Sequence, residues 1–162
     1  SPNYAQGIYA QAWTELMGGT ADGARRHVDL AMQLSPLDPL YYAMLSLRGL
    51  THIAAGDEKT GAEWAEHGAR APGAHALIAM IAAAAQALAG DDESARRWAA
   101  EVRGRNPALT RDDFFGAFPM RSESMRRRIT AALETLGFQG SRSRSARGDK
   151  NEMRADDSLV EK

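Results

Sequence analysis

The stretch Gly56-Asp57-Glu58-Lys59-Thr60-Gly61-Ala62-Glu63-Trp64-Ala65-Glu66-His67-Gly68 decides the fold, because its plan returns as Gly90-Asp91-Asp92-Glu93-Ser94-Ala95-Arg96-Arg97-Trp98-Ala99-Ala100-Glu101-Val102. Both copies open with a glycine suited to ending one helix and an aspartate suited to starting the next, where negative charge favours the helix dipole. Both then place small side chains and a tryptophan at i, i+3, i+4 and i+7, the spacing of one helical face. The reading is a helix, a glycine turn and a second helix with a small-residue face.

Worked outward, the plan covers three units at 5–38, 42–75 and 76–109. Gly19, Gly56 and Gly90 share one position, and Ala24, Gly61 and Ala95 another. Ala31, Gly68 and Val102 follow, while Ala12, Gly49 and Ala83 recur in the first half. Asp22, Asp57 and Asp91 stand near the start of each second helix, and Pro36, Pro72 and Pro107 close the units. Two antiparallel helices approach closely only where the side chains at their crossing are small, so the small positions mark the crossings. A period of this size is the signature of stacked helix pairs. On the second helices Ala24, His27, Val28 and Ala31 take the face that carries Trp64 and Trp98 in the later units, and the two tryptophans are expected in the seams between pairs.

Beyond the units, Thr110 and the acidic Asp112-Asp113 open a short helix that Pro119 ends. A helix from about Ser122 aligns Met125, Ile129, Ala132, Leu133 and Leu136, then stops at Gly137-Phe138. This segment, 110–138, is expected to cap the exposed stacking face of the third unit. Residues 139–162 turn to Ser, Arg, Gly and Asp without apolar periodicity and read as a mobile tail after a single domain over 1–138.

Composition bounds the function. The chain has 162 residues, 44% hydrophobic and 25% charged, with 20 basic and 21 acidic side chains for a net charge of -1. No overall field draws in nucleic acid or an anionic membrane. Arg126-Arg127-Arg128 spreads around its helix rather than forming one basic face, so neither nucleic-acid nor membrane binding is expected of this domain. There is no cysteine, which removes disulfides, thiol nucleophiles and thiolate metal sites and suits a reducing cytoplasm. The apolar run from Ala76 to Ala85 is too short to span a bilayer. No signal peptide opens the chain, and a helical pattern already running by Ala5 suggests a piece of something longer.

With these positions filled, 5–109 resembles the tetratricopeptide-repeat family, although Ile8, Leu45 and Ala79 stand where large aromatics are usual in that family. Leu34-Ser35-Pro36-Leu37-Asp38-Pro39, Trp64-Ala65-Glu66 and Phe114-Phe115-Gly116-Ala117-Phe118-Pro119 are similar to the C-terminal repeat regions of bacterial signalling proteins with an N-terminal winged-helix or class III nucleotide-cyclase domain. The resemblance implies an all-α, right-handed solenoid of three helix pairs with a helical cap, serving transcriptional regulation or signalling. It also implies that the first helices line a concave face. On that face the candidate contacts are Tyr9, Trp13 and Met17 of unit one, Ser46, Leu50 and Ala54 of unit two, and Leu77, Met80 and Ala84 of unit three. Tyr9, Trp13, Leu47, Leu77 and Ile81 occupy the places where peptide-binding relatives hold a carboxylate with Lys, Arg and Asn, so no such clamp forms.

An apolar stripe of this kind marks either a groove for a hydrophobic peptide or domain, or a surface the protein covers itself, by core packing, by preceding repeats or by a second copy in a homodimer. A small hydrophobic effector held in the groove is the alternative occupant. Catalysis is not expected. Gly18-Gly19 lacks the strand and lysine of a phosphate loop, and Asp91-Asp92-Glu93 and Asp112-Asp113 sit where acids serve helix starts. His27, His52, His67 and His75 lack a metal-binding spacing, and no cofactor is implied.

Overall fold

The computed structural model describes residues 2–140, and the tail assigned to 139–162 lies outside them but for Gln139 and Gly140. Among the described residues the chain is all-helical, with eight helices and no strand. These are α1 (Pro2–Met17), α2 (Ala21–Leu34), α3 (Tyr41–Ala54), α4 (Glu58–Arg70), α5 (Ala76–Leu88), α6 (Asp92–Arg105), α7 (Arg111–Ala117) and α8 (Glu123–Thr135). From α1 to α6 each helix packs on the next.

The three glycine turns share one mechanism. Gly19, Gly56 and Gly90 adopt φ of 96°, 85° and 84°, left-handed values that a side chain would strain. In each turn the glycine N–H and the following N–H donate back to the last free carbonyls of the helix, as in Gly56 N to Ile53 O at 3.0 Å and Asp57 N to His52 O at 2.9 Å. Asp57 and Asp91 then cap the next helix by accepting from the N–H groups of Thr60 and Ser94. At the other ends, Pro36, Pro72, Pro107 and Pro119 each stand just past the last helical residue, where the missing N–H prevents continuation.

The crossing of α3 and α4 shows why small residues recur. A Cβ on Gly49 would lie 2.7 Å from the Gly61 carbonyl oxygen, and one on Gly61 would lie 2.9 Å from that of Gly49. The backbones themselves touch there. Ala12, Ala24, Ala31, Ala83, Ala95 and Val102, at the matching positions of α1, α2, α5 and α6, are fully buried.

The C-terminal helices depart from the expected cap. Helix α8 packs chiefly on α5, and the segment 118–128 reaches α1, α3 and the start of α4. The composition of α5 and α6 gives the reason. Helix α5 has no charged residue and buries nearly every side chain from Ile78 to Gln86, so it needs cover on more than one side. Helix α6 carries Arg96, Arg97, Glu101, Arg103 and Arg105 and needs little. Met125, Ile129, Ala132 and Leu133 form the buried stripe of α8. A capping box, with Thr110 and Asp113 exchanging bonds, sets the start of α7.

Candidate functional site

The nine groove residues separate into two groups. Tyr9, Trp13, Met17, Ala54 and Leu77 are half-buried, whereas Ser46, Leu50, Met80 and Ala84 are core. For these four, the expectation of an exposed contact is corrected. Ser46 donates its hydroxyl to the Tyr42 carbonyl at 3.1 Å and faces Gly68 at the α3–α4 crossing, so it points to the partner helix. Met80 and Ala84 lie on α5, buried along nearly its whole length.

What meets the first-helix face is the chain's own C-terminal arm, 110–138. The ring of Phe118 stacks on Trp13, with centroids 5.5 Å apart and planes 12° apart. Tyr9 meets Trp13 edge-on at 6.3 Å, and Phe114 meets Phe118 at 5.0 Å, so one aromatic chain runs from α1 into the arm. Beside it, the Arg121 N–H donates to the Met17 carbonyl at 2.8 Å. At the far side Arg128 donates to the Ile53 carbonyl at 3.0 Å and pairs with Glu58. A cation at that place adds a second donor to a carbonyl at the end of α3 that already accepts from the Gly56 N–H, where the helix dipole favours positive charge.

Phe118, Arg121 and Arg128 were not among the residues expected here. The available signal was the apolar weight of Phe114, Phe118, Met120, Met125, Ile129 and Leu133, more than the sealing of one polar helix requires. The arginine cluster divides: Arg126 lies over the Phe115 ring at 4.5 Å, Arg127 is exposed, and Arg128 joins α3 and α4.

Burial tunes two groups in this region. The Tyr9 hydroxyl is pushed up to about 12, first by desolvation and then by Tyr42 and Asp38, against a lowering bond to Trp13. His52 is held below its ordinary value by desolvation and by Arg25 and Arg48, which outweigh Asp57 and Asp29. Its Nε2 lies 2.9 Å from an Arg48 nitrogen, an acceptor's role that requires the neutral ring.

An open cleft of about 580 Å³ remains at the root of the arm, lined by Trp13, Thr14, Met17, Gly18, Pro119 and Arg121. Polar contacts join α2 to α3, and α4 to α5 and α6. Arg48 Nε lies 2.8 Å from Asp29 Oδ1, an ion contact off the axis of a good hydrogen bond, and the guanidinium stands 5.3 Å from the Trp64 ring. On α4, Glu66 accepts from Gln86 at 3.0 Å and from the Trp98 indole at 3.4 Å. Both tryptophans are half-buried, Trp64 beside Arg48 of α3 and Trp98 beside Glu66 of α4.

Of the histidines, His27 contacts Glu15 at 2.7 Å and His75 meets Tyr42 edge-on. Among the described residues no three His, Asp or Glu side chains are grouped to hold a metal ion, and no helix is long and apolar enough to cross a membrane. No family model, curated protein or solved structure matches the chain.

Proposed function

We propose that this chain is a non-catalytic interaction module, a tetratricopeptide-like right-handed stack of three helix pairs whose first-helix face receives an amphipathic helix. One observation supports it above others: α7 and α8 already lie on that face, with Phe118 against Trp13 and Arg128 at the end of α3. Recognition of a helix by an apolar groove uses anchors spaced by helical turns. The buried Met125, Ile129, Ala132 and Leu133 have that spacing. In this reading the arm holds the site until a partner's helix replaces it, inside a bacterial signalling or transcription-regulatory protein of the cytoplasm.

A labelled peptide of residues 110–138, titrated into the whole chain, tests this. Binding is expected to be weak to the native chain and stronger to Phe118→Ala and Arg128→Ala variants, whose arms are loosened. No binding to any of the three, with both variants still folded, overturns the reading.

The cleft at the arm's root favours the alternative, an effector-sensing domain that takes a small hydrophobic ligand. Its volume of about 580 Å³ falls within the range of small-molecule sites. Saturable quenching of Trp13 fluorescence by an apolar naphthalene probe, lost in Met17→Lys, distinguishes it from the peptide reading.

A further inference from the structure

The arm crosses the C-terminal ends of α1, α3 and α5 in turn. Arg121 donates its backbone N–H to the Met17 carbonyl at the end of α1, and seven residues on Arg128 donates to the Ile53 carbonyl in the last turn of α3. Seven further on, Thr135 shares a cleft with Ala87 in the last turn of α5. Seven residues of helix rise about 10.5 Å, close to the separation of packed helices. Helix α3 packs on both α1 and α5, so the interval along the arm matches the interval between the helix ends it crosses.

The three places are not filled alike. At α3 the arm brings a cation, which meets the Ile53 carbonyl and the Glu58 carboxylate. At α5 it brings Thr135, a neutral residue whose hydroxyl donates to the Ala131 carbonyl of its own helix at 2.9 Å. The cations there belong to α6. Arg103 bonds to the Leu136 carbonyl and lies over the Phe138 ring, with no carboxylate in either contact. Arg96, exposed two helical turns earlier on the same side of α6, has no hydrogen bond or ion pair among the described residues. Both border the cleft beside Thr135, which holds about 430 Å³. Among the described residues its lining sets these two cations against one acid, Asp92, whose charge already serves the first turn of α6.

From this imbalance we infer that the helix received by the first-helix face carries a carboxylate where the arm carries Thr135, and that Arg96 pairs with it. The partner is then an amphipathic helix with a basic residue in the place of Arg128 and an acid seven residues later. Apolar residues take the places of Met125, Ile129, Ala132 and Leu133. Charge complementarity favours such a helix over the arm, and the arm's neutral residue keeps the arm displaceable. The inference rests on the reading of this face as a helix-receiving site and adds the chemistry that selects its occupant.

Three labelled peptides of residues 110–138, native, Thr135→Glu and Thr135→Gln, titrated into the whole Phe118→Ala chain, test it. The same titrations are repeated in a chain that also carries Arg96→Gln, with circular dichroism showing that both chains are folded. The ratio of glutamate-peptide to glutamine-peptide affinity is expected to fall about threefold on Arg96→Gln, the size of an exposed ion pair. Comparing the ratio between chains cancels the cost of an acid at a helix C-terminus. Added salt should shrink the difference. A ratio that does not fall, with the native peptide bound, overturns the inference and leaves the helix-receiving site standing. No binding of any peptide to either folded chain overturns the reading of the face, and the inference with it.

Discussion

The indole of Trp13 lies nearly parallel to the ring of Phe118, 5.5 Å between centroids, and so fastens the first helix to the turn between the last two. Each ring removes apolar area from water, and the stacked pair adds a further interaction of about 0.5–1.5 kcal/mol. Trp13→Ala and Phe118→Ala are each expected to cost about 3 kcal/mol. The double variant should cost less than the sum by about 1 kcal/mol, measured by urea denaturation. Strict additivity would show that the stack carries no coupling.

Gly49 and Gly104 predict opposite signs for the same substitution. A Cβ on Gly49 meets the Gly61 carbonyl at 2.7 Å and the Ala65 nitrogen at 2.9 Å, backbone atoms that move only if α3 and α4 separate. Gly49→Ala should destabilise by about 2 kcal/mol or more. Gly104, exposed on α6, has nothing within 4 Å of a new Cβ, and Gly104→Ala should stabilise by about 0.5–1 kcal/mol. Thermal melts of the two variants read both signs.

These crossings were legible in the sequence because their cause is local and repeated: a backbone contact permits only glycine or alanine, and a left-handed turn favours glycine. The helix boundaries at Asp57, Asp91, Thr110 and Ser122 were legible for the same reason, since capping is settled within four residues. The arm's destination was not. The stripe Met125, Ile129, Ala132 and Leu133 announces that α8 buries a face, but whether that face meets α6 or α5 depends on which distant surface is more apolar. Ser46 misled because one stripe of α3 serves both the groove side and the α4 crossing, and only Gly68 opposite it reveals which.

The folded chain resists protonating His52, and the consequence has a definite sign. Its side chain retains 12% of its exposure, with Arg25 and Arg48 on one side and Asp29 and Asp57 on the other. As pH falls through the ordinary 6.5, the unfolded chain gains this proton and the folded chain does not until lower pH. Stability therefore decreases from about pH 7 downward until the folded value is passed. His75, also held low, acts in the same direction. His52→Gln should flatten the decline seen in urea melts between about pH 8 and about pH 5. An unchanged slope would remove His52 from the account.

At alkaline pH the corresponding group is Tyr9. Its hydroxyl, raised from 10.0 to about 12 by burial, stays neutral where an unfolded tyrosine ionises. Stability is accordingly present below pH 10 and lost as pH rises toward 12. Tyr9→Phe should lessen that alkaline loss, and an absorbance titration of the native chain should show one phenolate appearing at about pH 12 that the variant lacks.

Adjacent arginines on α8 offer the narrowest test of how the arm is held. Arg128 donates to the Ile53 carbonyl at 3.0 Å and pairs with Glu58, whereas its neighbour Arg127 is exposed. Replacing this cation leaves the Ile53 carbonyl with the Gly56 N–H alone and the acid unpaired, a loss of about 1–2 kcal/mol. Methionine keeps much of the side-chain stem, so Arg128→Met isolates the charge from the packing. Amide hydrogen exchange should quicken in α8 and at the end of α3 in that variant, and stay unchanged in Arg127→Met. Equal protection in both would mean that the aromatic stack and the apolar stripe of α8 hold the arm, and that Arg128 and Glu58 sit together without contributing.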